Sequence, residues 1–138
     1  MKKNWICQWL AIIWASPTTM VGMLIGLLAL LLGGSVRFNA GCLEFFGGPL
    51  GSWFRRIPGG QVAFTAMTLG HVIIGRDRAT LDEACVHERV HVRQYERWGP
   101  FFVPAYLLAS AFLWLRGRRP YWDNPFEIEA YQAERDLQ

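Results

Sequence analysis

The longest apolar stretch of the chain comes first. Residues 5–32 are apolar apart from Gln8 and the short segment Ser16–Thr19. A helix of that length is more than enough to cross a hydrocarbon core of about 30 Å. We therefore predict an uncleaved membrane anchor over residues 1–35.

Two alternatives to a single anchor helix follow from the same residues. A basic start followed by an apolar run is also typical of a signal peptide, although Phe38 fits poorly at the third position before a cleavage after Ala40. The chain can also break at Ser16, a good N-cap, with Pro17 as the first helical residue. That break predicts a hairpin, or an interfacial helix followed by a second helix.

The middle of the chain is rich in glycine and has the two-residue alternation of β-strands. Apolar and polar residues alternate at 36–40 and at 61–65, and His71–Ile74 is a β-branched run. Turn signals that contain glycine and proline lie at 47–49 and 58–60. We predict a small antiparallel sheet in this region.

A polar stretch with helical signals follows the sheet region. Thr80 and Glu83 match a capping box, and Gly99-Pro100 is typical of a helix end. These signals predict a helix over Leu81–Trp98. Its positions three and four residues apart form one face: Ala84, His87, His91, Tyr95 and Trp98.

The second apolar run, Phe101–Leu115, is shorter than the first. Pro104 interrupts it, so a regular helix that begins there has about 12 residues and a length of about 18 Å. Because this is too short for a core of about 30 Å, we expect the apolar segment 100–116 to lie in a membrane interface or against the anchor. A last helix is predicted from Asn124 as N-cap and Pro125 as its first residue.

Composition favours a membrane location and argues against nucleic acid as a partner. Apolar residues make up 52% of the 138 residues, which is high for a small soluble domain. The net charge of +3 comes from arginines scattered along the chain, not from a basic stripe. The clusters at 55–56 and 116–119 suit anionic lipid headgroups. Cys7, Cys42 and Cys85 form no metal-binding pattern, and we expect free thiols.

The predicted central helix contains the motif His87-Glu88-Arg89-Val90-His91, which holds two of the three histidines of the chain. Two histidines at this spacing can bind one Zn²⁺, and Glu88 can act as general base on a water that the ion activates. Zinc needs a further protein ligand, and no histidine or cysteine follows His91. The third ligand is therefore expected among the carboxylates near the C-terminus: Glu127, Glu129, Glu134 and Asp136.

The segment Glu127-Ile128-Glu129-Ala130 resembles the Glu-x-x-Ala signature of gluzincin metallopeptidases. The order and separation of the two motifs resemble the short minigluzincins and the small membrane-embedded zinc peptidases of the heat-shock and prenyl-protein-processing type. Many of these families have Asp or Asn where this chain has Tyr131, which keeps Glu129 as an alternative ligand. A third possibility is that Glu127 only caps its own helix, three positions after Asn124.

The resemblance implies a function for each residue of the two motifs. His87, His91 and Glu127 would bind zinc, and Glu88 would be the general base. It also implies that an edge strand near His71–Ile74 pairs with an extended substrate.

Further residues are expected around the metal. Gln94 or Tyr131 would accept the second N–H of a metal-bound histidine. Tyr95, Tyr121 or Tyr131 would stabilise the developing oxyanion, and His71 would lie near the site.

The predicted fold class is α+β. It comprises an N-terminal membrane helix or helices, a small antiparallel sheet, an active-site helix, a short interfacial apolar helix and a C-terminal glutamate helix. Residues 36–138 would form a minimal zincin-like metallopeptidase domain behind the anchor over residues 1–35. The predicted function is that of a membrane-associated zinc metalloendopeptidase with a peptide or protein substrate.

Two other functions are compatible with the sequence. One is a non-catalytic zinc-binding membrane protein that acts as a sensor or scaffold, and the other is a scaffold with an accidental motif. We predict a membrane location, with a bacterial inner membrane favoured. Lys2 and Lys3 favour a cytoplasmic N-terminus, so a single span places the catalytic part outside and a hairpin returns it to the cytoplasm.

Overall fold

A computed structural model of the chain describes residues 5–57 and 65–137 and has the predicted α+β class. The predicted turn at 58–60 and most of the predicted strand at 61–65 lie outside the described residues. The helices and strands follow in this order: α1 Trp5–Leu31, β1 Ser35–Asn39, β2 Cys42–Phe46, α2 Pro49–Arg56, β3 Ala66–Leu69, β4 Val72–Gly75, α3 Arg78–Trp98, α4 Phe102–Leu115 and α5 Pro125–Arg135.

The sheet is mixed, so the prediction of an antiparallel sheet is wrong for one pair of strands. Within the described residues, the strand order is β1-β2-β4-β3, with antiparallel outer pairs and a parallel central pair of β2 and β4. A parallel pair needs a crossover connection. Here the connection contains helix α2 and the edge strand β3, and β4 lies beside β2 in the same direction.

Side-chain alternation along the strands gives the sheet two apolar faces. On one face, Phe45, Val72 and Ile74 pack against α1 and α2. On the other face, Ile73 of β4 packs with Leu81 of α3. The sheet therefore lies between α1 and α2 on one side and α3 on the other.

Helix α1 is one continuous helix through Pro17, as preferred from the sequence, and the alternative of a break at Ser16 with a hairpin is wrong. Proline cannot donate the hydrogen bond that its position would give to the carbonyl of Ile13. The Ser16 hydroxyl donates to that carbonyl instead, at 2.7 Å. One side chain thus replaces the missing backbone donor, and the helix continues.

Two glycines let α1 lie directly on the sheet. A Cβ atom at Gly26 would be 2.3 Å from the Phe45 ring, and one at Gly22 would be 2.8 Å from the Cβ of Val72. The opposite face of α1 is apolar and exposed, for example at Trp9, which is 62% exposed. Among the described residues, Trp5–Leu31 and the joined stretch Arg78–Leu115 are long and apolar enough to cross a membrane, which by itself is weak evidence for a membrane.

Helix α3 begins earlier than predicted because a different residue caps it. The Asp77 side chain accepts from the Thr80 N–H at 2.9 Å, and the Thr80 hydroxyl accepts from the Asp77 N–H at 3.2 Å. The capping box is thus Asp77 and Thr80, not Thr80 and Glu83. The predicted end at Gly99 is confirmed, since its N–H donates to the Tyr95 carbonyl at the C-cap.

Helix α4 begins at Phe102, before Pro104, and continues α3 through a 3-10 turn at Gly99–Phe101. Pro104 is the third residue of α4, where a missing N–H removes little from the helix. The 14 residues of α4 reach about 21 Å. The chain then turns back, and Asn124 caps α5 as predicted by accepting from the Phe126 N–H at 3.0 Å.

The identity of the α3 cap can be tested by mutation. Asp77→Ala is expected to lower the free energy of unfolding by about 1 kcal/mol, because it removes the acceptor of the Thr80 N–H. The measurement is denaturant unfolding in detergent. Glu83→Ala is the matched control, since this exposed carboxylate lies in the same part of the helix, and we expect a change below about 0.5 kcal/mol. A larger loss in Glu83→Ala would show that the other capping box operates.

Candidate metal centre

Helices α3 and α5 bring two imidazoles and one carboxylate together. His87 and His91 are one turn apart on α3 and share a face. Glu127, in the first turn of α5, points at both. The three side chains are buried, and they form a group whose ligand atoms all lie within 4.8 Å of one another. The cluster could therefore hold a metal ion.

The distances within the cluster suit a single ion. The Nε2 atoms of His87 and His91 are 3.1 Å apart. The carboxylate oxygens of Glu127 lie 3.0 Å from Nε2 of His87 and 3.5 Å from Nε2 of His91. Ligand atoms at about 2.0–2.1 Å from a tetrahedral ion are about 3.3 Å apart. The distance between the two Nε2 atoms and the distance from each of them to its nearer Glu127 oxygen are close to this separation, with Oε2 beside His87 and Oε1 beside His91.

The second nitrogen of each imidazole faces an acceptor. Nδ1 of His91 lies 2.8 Å from Oε1 of Gln94, and Nδ1 of His87 lies 3.4 Å from Oε1 of Glu134. With a metal bound, these partners would keep the proton of each ring on Nδ1 and leave the lone pair of Nε2 for the ion. Of the two expected second-sphere partners, Gln94 has this contact.

The other C-terminal carboxylates lie outside the cluster. Glu129 accepts from Nε2 of Gln94 at 2.8 Å and pairs with Arg97 at the surface. It therefore supports His91 only indirectly, through Gln94. Asp136 is exposed at the end of α5.

Glu88 is buried on the sheet side of α3 and contacts the edge strand. Its Oε2 accepts from the Thr68 hydroxyl at 2.7 Å, and the same hydroxyl is 3.2 Å from the Glu88 carbonyl oxygen. Burial raises the pKa of the Glu88 carboxyl, although the nearby histidines and the Thr68 hydrogen bond oppose this rise. Glu88 is thus a carboxylate held in one position and disposed to take up a proton.

The charges of the cluster favour a bound cation. Burial alone would lower the pKa of His91, but the hydrogen bond to Glu127 and the charges of Glu88 and Glu127 raise it to about 9. Burial would raise the pKa of Glu127, but the hydrogen bonds from His87 and His91 bring it down to about 2. Without metal, a proton therefore supplies the positive charge that this buried group of carboxylates requires.

A cavity of about 300 Å³ opens beside the cluster. The two histidines, Glu88 and Glu127 line one part of it, and most of the remaining lining is apolar. The walls come from strand β3, helix α4, one tyrosine of α3 and one of the returning loop: Ala66, Met67, Thr68, Leu69, Tyr95, Phe102, Val103, Tyr106, Leu107 and Tyr121.

The edge strand beside the cavity is β3, not the His71–Ile74 region. Strand β4 lies inside the sheet between β2 and β3, and all its residues are buried. A strand inside the sheet is covered on both faces and so has a continuous apolar sequence. The β-branched run at 72–74 is such a sequence. His71 lies in the turn between β3 and β4 with its Nε2 3.1 Å from Glu96, and it does not line the cavity.

Two contacts of the site were not found from the sequence. Tyr106 donates its hydroxyl proton to Oε1 of Glu127 at 2.7 Å, and Thr68 holds Glu88. Tyr106 does have a sequence signal, since Tyr106 and Ser110 are polar positions four residues apart in an otherwise apolar helix. Among the tyrosines expected at the site, Tyr95 and Tyr121 line the cavity, whereas Tyr131 packs its ring against His87 at 4.5 Å.

No protein-family model, curated protein or solved structure matches the chain. The likeness to the gluzincin pattern rests on the residues themselves. The structure adds that His87, His91 and Glu127 meet in one buried cluster on a long helix and a later helix.

The ligand set can be tested by metal content. Protein purified in detergent from zinc-supplemented medium is expected to hold one metal ion per chain, because three donor atoms already converge. His91→Ala and Glu127→Ala should lose the ion. Glu129→Ala is the matched control from the same helix and should keep it. The measurement is metal analysis by mass spectrometry, and loss of metal in Glu129→Ala but not in Glu127→Ala would reverse the assignment.

Proposed function

We propose that the protein is a membrane-associated zinc metallopeptidase. The observation that carries the proposal is the convergence of Nε2 of His87, Nε2 of His91 and the Glu127 carboxylate beside a cavity. Two imidazoles and one carboxylate are the protein ligands of catalytic zinc in known peptidases, with the fourth position left for water. Glu88 lies next to this set on the same helix, as a general base requires.

The chemistry divides between the ion and the protein. When bound, zinc lowers the pKa of a water in its open position and polarises the substrate carbonyl. Glu88 takes the proton of the attacking water and passes it to the leaving amine. The Thr68 hydroxyl fixes the Glu88 carboxylate at 2.7 Å. Glu88 is buried, which raises its pKa and suits it to hold that proton between the two transfers.

We propose different roles for the tyrosines that line the cavity: one binds Glu127, and the others face the substrate. The Tyr106 proton is used in the hydrogen bond to Glu127, so this hydroxyl is not available to the substrate. Tyr95 and Tyr121 line the same cavity, and we propose these two tyrosines for the charge that develops on the carbonyl oxygen. The Tyr121 hydroxyl lies 3.1 Å from that of Tyr131.

The cavity indicates the kind of peptide that would bind. Strand β3 is an edge strand, and an extended peptide can pair with such an edge. The side chains of Phe102, Val103 and Leu107 give the cavity an apolar wall. We therefore propose an extended peptide that places a large apolar side chain in this cavity.

The apolar outer surfaces of α1 and α4 support the membrane part of the proposal. Leu108 of α4 is 71% exposed and Leu24 of α1 is 70% exposed. Trp14 contacts Phe101 at the junction of α3 and α4, so the N-terminal part of α1 and the start of α4 are neighbours. Lipid would cover both surfaces, and Arg116–Arg119 would meet the headgroups at the end of α4. The substrate cavity lies along the same helix α4.

The role of Glu88 can be tested with Glu88→Gln. We expect this variant to keep its zinc and to lose at least about 100-fold in hydrolysis of labelled casein, because the amide cannot accept the proton. The matched control is Glu83→Gln, an exposed position on the same helix, which should cleave as wild type does. Cleavage by Glu88→Gln at the wild-type rate, with zinc retained, would contradict the mechanism.

The apolar cavity predicts a preference among small zinc-binding probes. Leucine hydroxamate is expected to bind the zinc protein about 10-fold or more tighter than glycine hydroxamate, because its side chain leaves water for the cavity. Calorimetric titration in detergent measures both affinities.

Two substitutions on α4 provide the matched comparison for this preference. Val103→Thr makes the cavity wall polar and should reduce the preference for leucine. Leu108→Thr changes the exposed side of the same helix and should leave it unchanged. Equal binding of the two hydroxamates by the wild-type protein would exclude the cavity as a side-chain site.

A further inference from the structure

We infer that Tyr106 is a positioning residue that holds the third metal ligand, Glu127, in its binding orientation before the ion arrives. The inference rests on the proposed zinc site, and it assigns to helix α4 a part in building that site. It depends on a single side-chain contact and on the way in which α4 and α5 are joined.

The two oxygens of the Glu127 carboxylate have different partners. Oε1 accepts the Tyr106 hydroxyl proton at 2.7 Å, and Oε2 lies 3.0 Å from Nε2 of His87. Oε1 also lies 3.5 Å from Nε2 of His91. The hydrogen bond therefore holds Oε1 on the His91 side and leaves Oε2 directed at His87. A carboxylate that binds through one oxygen keeps the second for such a donor, which fixes its rotation.

Tyr106 is itself held firmly. Its ring stacks on Phe126 of α5, with 6.1 Å between centroids and 23° between the planes. The amide of Asn124 donates to the Tyr106 carbonyl at 3.2 Å and to the Ser110 hydroxyl at 2.8 Å. Asn124 is fully buried and also caps α5. These contacts join the first turns of α5 to α4.

Glu127 lies within one turn of the start of α5, which the Asn124 contacts fix against α4. Asn124 fixes where α5 begins, and Tyr106 fixes the carboxylate three residues later. The metal then meets a ligand whose rotamer is already set, which saves the cost of ordering a glutamate side chain on binding. Without the hydroxyl, the carboxylate remains near the histidines but can rotate.

The test is the zinc affinity of Tyr106→Phe, measured by competition with a chromophoric chelator in detergent. We expect the dissociation constant to rise about 10- to 100-fold, the usual effect of removing such an outer partner. Tyr131→Phe is the matched control, because its ring also packs against the site, at 4.5 Å from His87, while its hydroxyl faces Tyr121. This control should stay within about 2-fold of wild type, since it leaves the partners of Glu127 in place.

A second readout separates positioning from general packing. The visible absorption spectrum of the Co²⁺-loaded protein reports the coordination of the ion, and it should change in Tyr106→Phe and not in Tyr131→Phe. Both metal-free variants should still unfold in a single cooperative transition, which shows that the fold is retained.

Two results would overturn the inference while leaving the zinc site intact. One is a Tyr106→Phe variant with wild-type zinc affinity and Co²⁺ spectrum, and the other is an equal loss of affinity in both variants. A wild-type protein that binds neither metal would instead overturn the proposed function, and the inference with it.

Discussion

The architecture depends on one requirement: the Glu127 carboxylate must reach two imidazoles that belong to an earlier helix. The chain leaves α3, runs about 21 Å along the apolar helix α4, and must then come back. It does so because Asn124 bonds both to the backbone of Tyr106 and to Ser110, which starts α5 beside the middle of α4. A helix α4 that crossed a bilayer would leave about 30 Å of hydrocarbon between Glu127 and the two histidines.

The other side of the site depends on packing across the sheet. Gly22 and Gly26 bring α1 into contact with Val72 and Phe45 on the back of the sheet, and Thr68 holds Glu88 on its front. The long apolar helix α1 therefore forms one layer of the folded body, on the opposite side of the sheet from Glu88. The same helix presents its remaining face, with no protein cover in the described part of the chain, to whatever surrounds the molecule.

What could be predicted from the sequence was local. The spacing of His87 and His91, the N-cap at Asn124 and the helix end at Gly99 each depend on neighbours a few residues apart, and the structure has all three. The wrong predictions concern which of two nearby residues caps a helix and which distant segments of the chain pair. Asp77 is the cap in place of Thr80, and both residue types are favoured at that position. The parallel pairing of β2 with β4, and the contacts from Thr68 and Tyr106, join residues that are far apart in the chain, and no periodicity reports such contacts.

The central claim is that zinc is held by two imidazoles and one carboxylate with a position left open for water. X-ray absorption at the zinc edge of the loaded protein tests it most directly. We expect four light-atom ligands near 2.0 Å, two of them with the outer scattering of imidazole, and one that exchanges with an added hydroxamate. A sulfur ligand, a shell of four protein ligands that no hydroxamate displaces, or the absence of bound zinc would contradict it.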